Sequence, residues 1–231
     1  MGLNVTVHGS EQLQILLNDW NYEKLEIFLG GVYMSKQLII TVSREFGSGG
    51  HVIAEHIAEK FELPLYDHNL LREITDEKNI SLDYIKRYDE LPKNPWFSRT
   101  IRGYSNSPEE NIANMQFEYL KKKADQGDSF VVVGRCAESI LKNYDGLISF
   151  FVLADMEAKV KRIEKIHGIS QSQAEALIKR NDKERKAYHN YYCTVKWGDS
   201  RNYDISINSS KLGISRTAEM LEQYIKARIE K

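Results

Sequence analysis

Residues Leu38 to Ala58, LIITVSREFGSGGHVIAEHIA, confine the chain to a narrow set of folds. A short β-branched apolar run (Leu38, Ile39, Ile40, Thr41, Val42) enters a loop with glycine at 47, 49 and 50. A helical pattern follows at once, carried by Val52, Ile53, Ile57 and Phe61. Strand, glycine loop, helix is the local geometry of a phosphate cradle. Glycines let backbone N–H groups turn inward, and a helix N-terminus adds partial positive charge. The usual phosphate-binding pattern reads G-x-x-x-x-G-K-[S/T]. Here Gly50 stands where the lysine belongs, and His51 and Val52 follow, so the Mg²⁺-binding hydroxyl is absent too. The loop points to phosphate, but the usual mechanism does not transfer intact.

From Lys36 onward the rhythm is strand, helix, strand, helix. Strands are expected at 38–43, 64–66, 129–134, 147–153 and 203–208. Val131-Val132-Val133 and Ile148 through Leu153 are near-continuous apolar runs, which suit parallel strands covered on both faces. Helices are expected near 51–62, 68–78, 108–126, 136–142, 156–167, 171–190 and 214–229. Asp67 and Asp155 follow strands where N-caps are wanted. This order implies an α/β fold with a parallel sheet. Residues 91–108 hold three of the four prolines and read as an irregular excursion, either a substrate-side flap or a plain loop. Residues 1–35 stand apart. Ser10 through Leu29 read as an amphipathic helix closed by Gly30-Gly31, docked on the main body or on a partner subunit.

Positive and negative side chains nearly cancel, 32 against 33, so no long-range field draws the chain to nucleic acid or a membrane surface. No apolar run is long enough to span a bilayer, and no secretory leader is expected. Cys136 and Cys193 are the only cysteines, with no zinc spacing and no disulfide framework, which suits a reducing cytoplasm.

In sheets of this kind ligands bind beyond the carboxyl ends of the strands. Arg44 follows the first strand, and Gly134-Arg135 follows the third. Lys159, Lys161 and Arg162 lie on the helix after the fourth. An arginine straight after a buried strand and a glycine needs an anionic partner, so Arg135 is read as a phosphate ligand. The run Lys179-Arg180-Asn181-Asp182-Lys183-Glu184-Arg185-Lys186 reads either as a solvated helix face or as a set of phosphate-facing cations. His51, His56 and His68 read as surface histidines. The aromatic segment Tyr188–Tyr203 reads as packing, with base stacking as the alternative. Cys136 reads as a small buried residue.

Together and in order, SREFGSGG (43–50), LPLYD (63–67), VVVGRCA (131–137), DKERKAYHNYYCTVKWGD (182–199) and NYDISINSSKLGI (202–214) resemble the cytidylate-kinase-like branch of the P-loop nucleoside monophosphate kinases. The resemblance covers 36–231 and leaves 1–35 as an N-terminal helical extension. It implies a P-loop NTPase-type three-layer α/β fold, a five-stranded parallel sheet flanked by helices, with a helical lid at about 179–200. It implies phosphoryl transfer from ATP, with Mg²⁺, to a small phosphorylated acceptor, a nucleoside monophosphate such as CMP. Donor phosphates would lie on Gly47, Ser48, Gly49, Gly50 and His51, with Arg44 supplying charge near the lost lysine. Arg135 is similar to the family arginine that holds the acceptor, and Arg180, Lys183 and Arg185 to its lid cations. Two departures stand out: the lysine-free loop, and Cys136 where the family carries an aspartate. They keep open the alternative of a nucleotide- or anion-sensing pseudokinase. The reading carries a nucleotide substrate, no nucleic acid and no membrane, and is compatible with a homodimer.

Overall fold

A computed structural model of the chain describes residues 37–67, 69–78, 100–101, 104–105 and 107–230. The expected helix within 1–35, His68 and most of the segment 91–108 lie outside the described residues. The elements in order are β1 (Ile39–Arg44), α1 (Gly50–Lys60), β2 (Leu65–Tyr66), α2 (Asn69–Lys78), β3 (Thr100–Ile101), β4 (Tyr104–Ser105) and α3 (Pro108–Asp125). There follow β5 (Phe130–Val133), α4 (Ala137–Ile140), β6 (Leu147–Leu153), α5 (Met156–His167), α6 (Gln171–Tyr192), β7 (Ile205–Asn208), α7 (Ser209–Leu212) and α8 (Ile214–Ile229). Five strands lie side by side in the order β2-β5-β1-β6-β7, and every neighbouring pair is parallel.

The strand side chains alternate between two cores. Ile40 and Val42 of β1 pack with Ile53 and Ile57 of α1 and with Leu221 and Ile225 of α8. Ile39 points the other way, into Leu70, Leu120 and Leu141. Both faces of the sheet are therefore dry, which is why β5 and β6 read as near-continuous apolar runs. The expected strands and helices form within two residues of their expected ends. The sequence reading lacks the antiparallel β3–β4 pair, the single-turn α7 and a 3₁₀ turn at Ser200–Asn202. All are too short to give a periodic signal.

Helix starts show where local chemistry decides. Ser170 caps α6 with a full capping box, its hydroxyl accepting from the Gln173 amide while the Gln173 side chain reaches back. Asp67 accepts from the Asn69 amide at 2.9 Å, as expected of a cap. Asp155 takes the N-cap position of α5 but makes no cap bond. Its carboxylate is taken by Lys211 at 2.6 Å and Asn208 at 2.8 Å, which hold its pKa below the ordinary value and tie the end of β6 to the end of β7. Among the described residues no helix is long and apolar enough to cross a membrane. Because the strands are parallel, Arg44, Val133, Leu153 and Asn208 end on one edge of the sheet, and the candidate site lies there.

Candidate active site

The loop after β1 turns on Gly47 (φ 78°) and Gly49 (φ 83°), a region of backbone space that glycine enters freely. A β-carbon on Gly49 would lie 2.6 Å from Ile214. The loop is anchored from inside. The Ser48 hydroxyl donates to the Glu45 carbonyl at 2.9 Å, and the Ser209 hydroxyl donates to the Ser48 carbonyl at 2.6 Å. Arg162 donates to the Gly47 carbonyl. Gly49 is the N-cap of α1 and has no side chain to cap it, the Gly50 amide donates to the Ser48 hydroxyl at 3.4 Å, and the positive end of the helix lies at the loop.

One relation was not legible from the motif alone. In the register G-x-x-x-x-G-K, Arg44 occupies the first glycine position and Gly50 the lysine position. A β-carbon at Gly50 would sit 2.6 Å from the Arg44 β-carbon and 3.3 Å from that of Val152. The two positions cannot both carry side chains. In this chain the glycine stands at the helix start and a cation at the strand end.

The turn after β5 carries three successive left-handed residues. Gly134, Arg135 and Cys136 have φ values of 72°, 61° and 56° in succession. Non-glycine residues held there cost about 1–3 kcal/mol each and cluster at functional sites. Arg135 is only 3% exposed. It lines a small cleft together with Arg44, Ser43, Arg185, Tyr188, His189 and Trp197. Three arginines thus arrive on one cleft from β1, from the turn after β5 and from α6.

α6 is fastened to the loop at its middle. Asp182 accepts from the Phe46 amide at 2.6 Å and from Lys159 at 3.0 Å, and Lys159 also reaches Glu45 at 3.0 Å. Burial alone would depress the Lys159 ammonium, but the bonds from Asp182 and Glu45 outweigh it and hold its pKa above the ordinary value. Arg185 stacks over the Phe46 ring at 5.5 Å and donates to the Arg44 carbonyl at 3.3 Å. Of the three expected lid cations only Arg185 lines the cleft; Arg180 and Lys183 are exposed on α6. His51 lies in the first turn of α1, 3.3 Å from Glu55 and 3.6 Å from Asp67, and its ring does not line the cleft. Lys159 and Arg162, read from sequence as ligand-facing cations, instead brace the loop, and Lys161 pairs with Glu157 at 2.7 Å on the surface. Lys159→Met would leave two facing carboxylates without their cation. The expected loss is about 3 kcal/mol, a melting midpoint lower by roughly 6–12 °C, read by differential scanning calorimetry.

Behind Arg135 the structure assembles a relay that sequence reasoning missed. The Ser43 hydroxyl donates to Glu138 at 3.0 Å, and Glu138 bonds the His189 ring at 2.6 Å. Cys193 lies one helical turn after His189. The available signal was His189 and Cys193 at i, i+4 at the end of a helix, with an acid just after Gly134-Arg135. Ligand atoms of Glu138, His189 and Cys193 lie within 4.8 Å of one another. Two ligands on one tetrahedral metal, with bonds of about 2.0–2.1 Å, stand about 3.3 Å apart. The 2.6 Å carboxylate–imidazole separation is a hydrogen bond, so the geometry is that of a proton-sharing relay.

The aromatic segment after α6 packs as the sequence suggests. Trp197 and Tyr203 flank Phe151 at 5.3 and 5.1 Å, and Gly198 (φ 74°) lies where a β-carbon would touch that ring at 3.1 Å. Trp197 and Tyr188 also form cleft wall, so packing and an aromatic surface for a ligand coexist.

The sequence profile of the cytidylate kinase-like family matches residues 39–211. Cytidylate kinase from Pyrococcus horikoshii is 30% identical over 177 residues, covering 76% of this chain and 81% of that one. The crystal structure of an uncharacterized protein from Eubacterium ventriosum, 38% identical, aligns with a TM-score of 0.66 over 82% of this chain and 99% of its own. Shikimate kinase from Bacteroides thetaiotaomicron aligns at a TM-score of 0.50 over 82% of this chain and 98% of its own, with 10% identity. That last likeness is one of fold, the α/β sheet of the P-loop kinases.

Proposed function

Because the chain belongs to the cytidylate kinase-like family, we propose that it transfers the terminal phosphoryl group of ATP to a small phosphorylated acceptor, a nucleoside monophosphate such as CMP, in the cytoplasm. The observation that carries this reading is the convergence of Arg44, Arg135 and Arg185 on one cleft, where Arg44 ends the strand that leads into the glycine turn. Phosphoryl transfer asks for in-line positioning and positive charge around the moving group, and little else of the protein. The backbone of Gly47, Ser48, Gly49, Gly50 and His51 holds the donor phosphates, and Arg44 supplies the charge that lysine supplies elsewhere. Arg135 grips the acceptor phosphate with its planar fork. Arg185 closes from α6, and Arg180 and Lys183, exposed on the same helix, add positive charge over bound nucleotide.

The groups around the loop do not fit a protein-held Mg²⁺. Glu45 and Asp182 are committed to Lys159, the Ser48 hydroxyl to the Glu45 carbonyl, and the hydroxyl position of the motif holds His51. No step is therefore routed through a metal held by the protein.

A coupled ADP-release assay over a panel of nucleoside monophosphates tests the proposal, with turnover expected on CMP or a close relative. The altered loop favours one other reading, a nucleotide sensor. Thermal stabilisation by ATP with no turnover on any acceptor would replace the kinase by that sensor.

A further inference from the structure

The chain has two cysteines, and they meet. Cys136 sits in the strained turn beside Arg135, buried; Cys193 ends α6 and is partly exposed. They share one apolar cluster with Phe117 and Tyr188, the partly exposed Cys193 packing against the buried Cys136 group. The Cys193 sulfur lies within 4.8 Å of the ligand atoms of His189 and Glu138, and the His189 ring is held by Glu138 at 2.6 Å. A thiol beside an imidazole, with a second thiol packed in the same cluster, is a favourable setting for thiolate chemistry.

We propose that Cys193 and Cys136 form a reversible oxidation site that peroxide closes to an internal disulfide, with Cys193 as the reacting thiol and Cys136 as the resolving one. Exposure selects the order, because peroxide reaches Cys193 and not the buried Cys136. Charge supports it. The neighbouring Cys136, with His189 and Ser139, holds the Cys193 thiol well below the ordinary range, and the thiolate is the reactive form. Burial would lower the His189 pKa, but Cys193 and Glu138 together raise it, so the ring stays protonated beside the thiolate. In the first step the Cys193 thiolate attacks one oxygen of hydrogen peroxide, the O–O bond breaks, and hydroxide leaves to take a proton. In the second, the Cys136 sulfur attacks the Cys193 sulfenic acid, the S–S bond forms, and water leaves. The product ties the turn that carries Arg135 to the end of the helix that carries Arg185. A thiol reductant reopens it.

The test uses the reduced full-length protein and hydrogen peroxide, read by intact mass and by non-reducing peptide mapping. These readouts do not depend on the phosphotransfer reading. The expected result is a loss of about 2 Da (two hydrogens, as the balanced step requires), a peptide joining Cys136 to Cys193 within one chain, and reversal by dithiothreitol. Cys136→Ser should halt at the first step, giving a sulfenic acid at Cys193 that dimedone traps. Cys193→Ser should leave Cys136 at least tenfold less reactive. No internal link in the wild-type protein, a link only between chains, or equal peroxide reactivity of the two single variants would each overturn the proposal.

Discussion

Arg135→Ala is expected to lower turnover at least tenfold while the protein stays folded. A tenfold loss corresponds to about 1.4 kcal/mol of transition-state stabilisation, a modest demand on an arginine that positions a substrate phosphate. The backbone makes the argument stronger than the side chain alone. Arg135 holds φ 61° between two further left-handed residues, one of them Cys136. A glycine at 135 would remove about 1 kcal/mol of that strain, so Arg135→Gly should melt higher than Arg135→Ala while being no more active. Arg135→Lys keeps the charge but loses the planar fork, and should lie nearer to the alanine variant than to wild type. Steady-state kinetics with the acceptor varied, beside melting curves, separates these effects. Wild-type turnover in Arg135→Ala would remove Arg135 from the mechanism.

The same turn shows what a sequence exposes and what it withholds. Val131, Val132 and Val133 announce a strand buried on both faces because their signal is local, three β-branched residues without a break. Arg135 is legible for the same reason, as a cation at the end of that strand. The partner of Glu138 is His189, in a helix far along the chain, and no period links them. Lys159 is a sharper case. By sequence it belongs to a run of basic residues at a strand end; in the fold it is 4% exposed and bound between Glu45 and Asp182. Whether a lysine meets a ligand or a carboxylate depends on what the sheet brings opposite to it. Two of the three expected cations on α6 point to solvent, which a helical wheel permits and only the docking of α6 decides.

Moving the loop's cation back should reveal how it works. Gly50→Lys alone forces a β-carbon to within 2.6 Å of the Arg44 β-carbon, and neither atom is the free end of a flexible chain. The variant should lose stability by about 1–3 kcal/mol and most of its turnover. Arg44→Gly alone clears the space but removes the charge, and should cost at least tenfold in turnover. The double variant Arg44→Gly/Gly50→Lys has both the space and a cation, on the usual register of the motif. It should exceed the better single variant at least tenfold, which with a loss of at least tenfold in the other single variant is a coupling of at least about 2.8 kcal/mol, one that independent sites would not show. Initial rates across the four proteins, with melting curves to separate folding from chemistry, measure that coupling. Additive losses in the double variant would mean that Arg44 and Gly50 do not share one role. The arginine would then be read as bracing the strand end, where its carbonyl already accepts from Arg185, and the donor phosphates would rest on backbone amides and Arg185 alone.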